Sequence, residues 1–147
     1  MAPLVYAAHP LTCYRSAHER ACLDAIASAF PGAEVLDPAE CFADDDGWLA
    51  RWPALVPTLS ALVLFADEQG HVGAGCLREV ADVLVADIPV LLLDRGRQLC
   101  ELRALRLLPA ASRTPARAAV PVGGRVVTAA DALTLRQRTR GGHHANL

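Results

Sequence analysis

Glu79 is the carboxylate whose surroundings in the chain suggest chemistry. It follows a glycine-rich turn in DEQGHVGAGCLREVAD, residues 67–82, with the spacing GxGxxxE formed by Gly73, Gly75 and Glu79. Glycines in such a turn let a ligand come close to the backbone. Two uses follow: the turn could cradle a phosphate, or it could present the carboxylate to a bound molecule. The phosphate motifs fit poorly. No GK[ST] follows, and Arg78 stands where GxGxxG would place its third glycine. A third use is purely structural, a Glu favouring a helix N-terminus through the dipole.

The other candidates sit at the ends of apolar runs. PLVYAAH (3–9), AEVLDP (33–38), ALVLFAD (61–67) and IPVLLLD (88–94) each read as a strand. Tyr6 lies within the first and His9 ends it; Asp37 ends the second and Asp67 the third. The loop HPLTCYRS (9–16) leads into a helix over 16–30, with Ser16 as N-cap and Glu19 three residues on, a capping box. Arg15, Ser16 and the helix N-terminus could hold a phosphate. Ordinary capping with a solvated arginine is the plain alternative. The chain has no lysine, so a cationic anion-binding side chain must be Arg or charged His.

These residues need a frame to bring them together. Residues 48–60 read as a helix interrupted or bent at Pro53 and Pro57. Leu77, Val80, Ala81, Leu84 and Val85 have helical spacing after the glycine turn. Unbroken apolar strands alternating with helices indicate a parallel sheet covered on both faces. The expected fold is α/β, a single doubly wound, flavodoxin/Rossmann-like domain over residues 1–140 with a mostly parallel five-stranded sheet. In such sheets ligands bind beyond the C-terminal strand ends. The C-terminal third reads as a helix over 98–108, a loop over 109–124, a fifth strand over 125–129 and a short helix over 129–139. Residues 141–147 form a polar tail expected to be mobile.

Composition removes several classes. The chain of 147 residues carries a net charge of −2, which argues against binding a nucleic-acid polymer. Five cysteines without a CxxC pair argue against a zinc ribbon and favour a reduced, cytoplasmic protein. The N-terminal run lacks the basic region of a signal peptide, and no run reaches the ~20 apolar residues of a membrane helix. His9, His18, His71, His143 and His144 show no HExxH or HxH spacing, and the DDD at 44–46 reads as a solvated loop. No metal and no cofactor is expected. Trp48 and Trp52 read as core in preference to a base-stacking platform.

Taken in order, VYAAHP, VLDP, the strand ending at Asp67 and GHVGAGCLREVADVLVADIPVLLLD resemble the nucleoside 2-deoxyribosyltransferase-like superfamily over roughly residues 3–94. REVADVLVADIPV carries most of that likeness. The resemblance implies that Glu79 is the catalytic glutamate, Tyr6 the first-strand tyrosine that orients it, and Asp67 the acidic strand-end residue that aids departure of the base. It implies cleavage of the base–sugar bond of a nucleoside or nucleoside 5′-monophosphate, by hydrolysis or transfer. His9, Arg15, Ser16, Asp37, Gly73 and Gly75 are the expected substrate contacts, the partner is a small nucleoside or nucleotide, and a homodimer or higher homo-oligomer is expected. The chain departs from the family at HPLTCYRS, where monophosphate hydrolases carry a Ser/Gly-rich loop, and at Ala81, where the family has glycine. The PGGxGTxxE loop of the cytokinin-activating phosphoribohydrolases also ends in a glutamate, but this chain lacks its PGG and threonine. A nucleotide-binding module without turnover is the competing expectation.

Overall fold

The computed structural model describes residues 2–41, 46–109 and 118–134. They form one mixed sheet of six strands in the order β2-β1-β3-β4-β5-β6. The strands are β1 (Leu4–Ala8), β2 (Glu34–Leu36), β3 (Ala61–Leu64), β4 (Val90–Leu93), β5 (Leu99–Leu107) and β6 (Ala119–Val126). The first four run parallel. The last two are antiparallel to their neighbours. The main helices are α1 (Ala17–Ala29), the short α2 (Pro38–Cys41), α3 (Asp46–Leu55) and α4 (Ala74–Val85).

Side-chain alternation in β1 and β3 builds two cores. Val5, Ala7, Val63 and Phe65 face one way, against Cys22 and Ile26 of α1. Tyr6, Ala8, Leu62 and Leu64 face the other way, against Trp52 of α3 and Cys76, Val80 and Val83 of α4. Both faces are therefore covered, which is why these strands are apolar without interruption. Pro53 lies inside α3, and the chain tightens into a single 3₁₀ turn, Val56–Thr58, directly after it. The interruption expected at the prolines falls after Leu55, at the turn that contains Pro57, and not at Pro53.

The sheet has six strands, not five, and the C-terminal third accounts for the difference. Residues 99–107 are a strand, although Leu99, Leu102 and Leu105 have the three-residue spacing of a helix. Irregular register between Cys100, Leu102 and Ala104 explains it. A β-bulge changes the parity of a strand, so Leu102 and Leu105 both pack on the same core. Part of the expected loop, from Ala119 on, is the partner strand β6. The strand expected over 125–129 ends at Val126, and residues 129–134 are helical. Asp44, Asp45, His143, His144 and the expected tail lie outside the described residues. Among the described residues no helix is long and apolar enough to cross a membrane.

The hairpin β5–β6 packs closely where Gly123 meets it. A Cβ at Gly123 would stand 2.9 Å from Cys100 Sγ and 3.4 Å from Leu92 Cδ2. Gly123→Ala is therefore expected to cost on the order of 1 kcal/mol in thermal or urea unfolding. Adding Cys100→Ala should recover part of that loss. A Gly123→Ala variant as stable as wild type would contradict the packing.

Candidate active site

Strand order reverses between β1 and β3, so their C-terminal ends and the loops beyond them frame a crevice. Glu79 lies in the second turn of α4, and Tyr6 is in the middle of β1, on the α4 side of the sheet. The Tyr6 hydroxyl donates a hydrogen bond to Glu79 Oε2. Trp48 of α3 supplies a second side-chain hydrogen bond to the Glu79 carboxylate. Glu79 is 5% exposed. Burial pushes its carboxyl up to about 7, against an ordinary value of 4.5; the bonds from Tyr6 and Trp48 hold it lower than burial alone would, and Asp82 raises it slightly. Burial and the neighbouring Glu79 charge push the Tyr6 phenol far above its ordinary value, so it remains a donor.

Of the glycines in the turn, Gly70 is needed for conformation, with φ 82°, whereas Gly73 and Gly75 are not. Gly73, the N-cap of α4, has φ −94° and ψ −179°, which any residue adopts. A Cβ at Gly73 or Gly75 would meet nothing within 4 Å. The glycines leave open space over the start of α4, which has no side-chain cap. Cys76 sits in the same turn, but burial and then Glu79 push its thiol up to about 12, so it is not a thiolate nucleophile at neutral pH.

Asp67 belongs to a different local network. Its Oδ1 accepts the backbone N–H groups of Gln69 and His71, each at 3.0 Å. Its Oδ2 accepts the Thr12 hydroxyl at 2.9 Å, tying the β1 and β3 loops together. Ser16 caps α1, accepting from Glu19 N at 3.0 Å and donating to Cys13 O at 2.6 Å. Arg15 has an exposed side chain and a left-handed backbone, φ 61°, and its N–H donates to Glu19 Oε1 at 3.1 Å. The capping box is present, with Glu19 answering one residue earlier than the N-cap.

His9 and Asp37 come together on the α1 side, with Glu19 as a third member that the sequence reading treated as a cap alone. His9 Nε2 lies 2.8 Å from Glu19 Oε2 and 3.5 Å from Asp37 Oδ1. The His9 ring stacks on Phe65, with centroids 4.5 Å apart. Burial pushes the Asp37 carboxyl up, opposed by the Ala39 backbone N–H and by His9. Tyr14, not singled out from the sequence, stands between the two groups. Its ring lies 5.1 Å from His9, and its phenol is pushed up by burial, then by the charges of Glu79 and Asp37.

A cleft of about 320 Å³ is lined by Trp48, Trp52, Pro53, Val56, Arg78 and Asp82; Glu79 does not line it and is connected to it through Trp48. The two indoles stack with centroids 6.1 Å apart. Arg78 lies over the Trp48 ring, 5.6 Å from its centroid, and Trp52 Nε1 donates to Asp82 at 2.9 Å. Both tryptophans belong to the core as expected, Trp52 buried within it and Trp48 packed against it, and Trp48 in addition lines this cleft and bonds Glu79.

Comparison with protein-family models, with curated proteins and with solved structures finds no match.

A carboxyl whose folded value is raised stabilises the fold fully below its unfolded value and loses that contribution as pH rises through the folded one. For Glu79 the loss runs from about 4.5 to beyond about 7. Glu79→Gln removes the charge, so its melting temperature relative to wild type should move upward between about pH 5 and about pH 8. Thermal melts of both proteins at the two pH values check this; an unchanged difference would contradict a buried, raised carboxyl.

Proposed function

We propose that the chain is an N-glycosidase or glycosyl-transfer enzyme that cleaves the base–sugar bond of a nucleoside or nucleoside 5′-monophosphate. The observation that carries this reading is the Glu79 carboxylate, buried, raised to about 7 and held by Tyr6 and Trp48 in the second turn of the helix that follows the glycine turn. A carboxylate in that setting can meet an oxocarbenium-like transition state at close range. In the reaction, a Glu79 oxygen bonds to the anomeric carbon as the carbon–nitrogen bond breaks. The electron pair leaves with the base, which takes a proton from solvent. Water, or a second base in a transfer reaction, then displaces Glu79 from the sugar.

Tyr6 orients Glu79 through the phenol hydrogen bond. Asp67, which already accepts three hydrogen bonds, is proposed as a base contact. A 5′-phosphate is better accommodated at the uncapped start of α4, over Gly73 and Gly75, than at the start of α1, where the Glu19 carboxylate already answers the backbone. Arg15 is exposed on the loop after β1 and is the proposed cationic contact. The aromatic cleft shared through Trp48 suits a planar base.

The competing reading is a nucleotide-binding module without turnover. The near-complete cover over Glu79 favours it, because the sugar must displace part of that cover to react. The two readings separate when the protein is incubated with a nucleoside and nucleotide panel and free base is followed by chromatography. Turnover is expected, reduced about 100-fold or more in Glu79→Gln. Reaction needs the ionised carboxylate, so the rate should rise with pH through about 7. Wild-type turnover in Glu79→Gln would falsify the assignment, and a thermal shift without base release would support the binding module.

We also propose a homodimer. Leu84 and Val85 of α4 are 58% and 89% exposed, an apolar end for a surface helix to pair through. Light scattering at micromolar protein is expected to give twice the chain mass, and a monomer would contradict pairing.

A further inference from the structure

The cluster on the α1 side has its own chemistry, and the inference drawn from it does not depend on the glycosidase reading. His9 is 3% exposed at the end of β1, Glu19 is 7% exposed in the first turn of α1, and Asp37 is half-buried just past β2. One ligand atom from each lies within 4.8 Å of the other two. His9 Nδ1 donates to the Ala7 carbonyl at 2.7 Å. That bond places the ring proton on Nδ1 and turns the Nε2 lone pair toward the two carboxylates. The same device orients histidines that hold metal ions.

A lone pair 2.8 Å from a carboxylate oxygen needs a cation between them. A proton would serve Glu19 alone, because Asp37 Oδ1 at 3.5 Å is beyond a good hydrogen bond. A metal ion would serve all three. Ligand atoms held about 2.1 Å from one ion stand about 3.0–3.4 Å apart, close to the separations from Nε2. The cluster is also short of positive charge. Among the described residues, the ion-pair partner of both Glu19 and Asp37 is His9. The second oxygen of Glu19 stays fixed by Arg15 N–H, and Asp37 is oriented by the backbone N–H of Ala39. All three side chains are thus positioned by backbone groups before any ion arrives, and they come from three different elements.

We propose that His9, Glu19 and Asp37 form a binding site for a first-row divalent cation. One imidazole and two carboxylates suit manganese, iron or zinc over calcium and magnesium, which take oxygen ligands almost alone. The three protein ligands leave further coordination positions for water.

The test uses the full chain without an affinity tag, stripped with a chelator and titrated calorimetrically with manganese(II) and zinc(II) at neutral pH. One ion per chain is expected for at least one of the two. Asp37→Ala, which removes the oxygen that faces Nε2, and Glu19→Gln are each expected to weaken binding at least about tenfold. Absence of stoichiometric binding by the wild type, or wild-type affinity in both variants, overturns the site. Should either variant fail to fold, as judged by circular dichroism, the wild type loaded with cobalt(II) decides. Visible bands of a nitrogen and oxygen ligand set without thiolate charge transfer support the site. A thiolate band places the ion on cysteine and overturns it.

Discussion

Burying the Glu79 carboxyl, which has no positive partner among the described residues, sets the terms for everything around it. Removing a carboxylate from water is costly unless donors replace the lost hydration. Here a phenol and an indole do so, and they come from β1 and α3 while the carboxyl comes from α4. Three elements must therefore hold their places for one group to be tolerated. The balance leaves Glu79 poised between charge states near neutrality. That is the range in which a carboxyl can serve either as an acid or as a base and nucleophile.

The central strand divides the polar groups between the two faces. Tyr6 points into the core shared with α3 and α4, whereas His9 stacks on Phe65 in the core shared with α1. Residues that look like one site along the sequence thus become two clusters, linked by Tyr14. Because the period of a strand is two, positions 6 and 9 cannot face the same way. The loops at the sheet edge are organised separately. Asp67 and Thr12 join two of them, and Ser16 with Glu19 fixes the start of α1.

Much of the frame was legible because it rests on local signals. Four apolar strands, the capped helix α1, the interruption before Pro57 and the helix after the glycine turn all follow from periodicity, capping and the effect of proline. The hairpin β5–β6 was not legible. Its leucines carry a helical spacing, yet Leu99 packs on the α1 side, and only the bulge, which exists through pairing with β6, puts Leu102 and Leu105 together on the other face. Glu19 was readable as a cap but not as a partner of His9. The two are separated by a loop whose path the sequence does not specify.

By itself the sequence determined most of the frame, because strand and helix periods place residues relative to their own element, and it offered Glu79 and Tyr6 as candidates through the glycine turn and the family resemblance. Only the tertiary structure decided which groups meet. Burial of Glu79, the hydrogen bond from Trp48, the engagement of Asp67 in its own loop and the convergence of His9, Glu19 and Asp37 all depend on contacts between elements. Desolvation and charge coupling act through space, so spacing along the chain cannot report them.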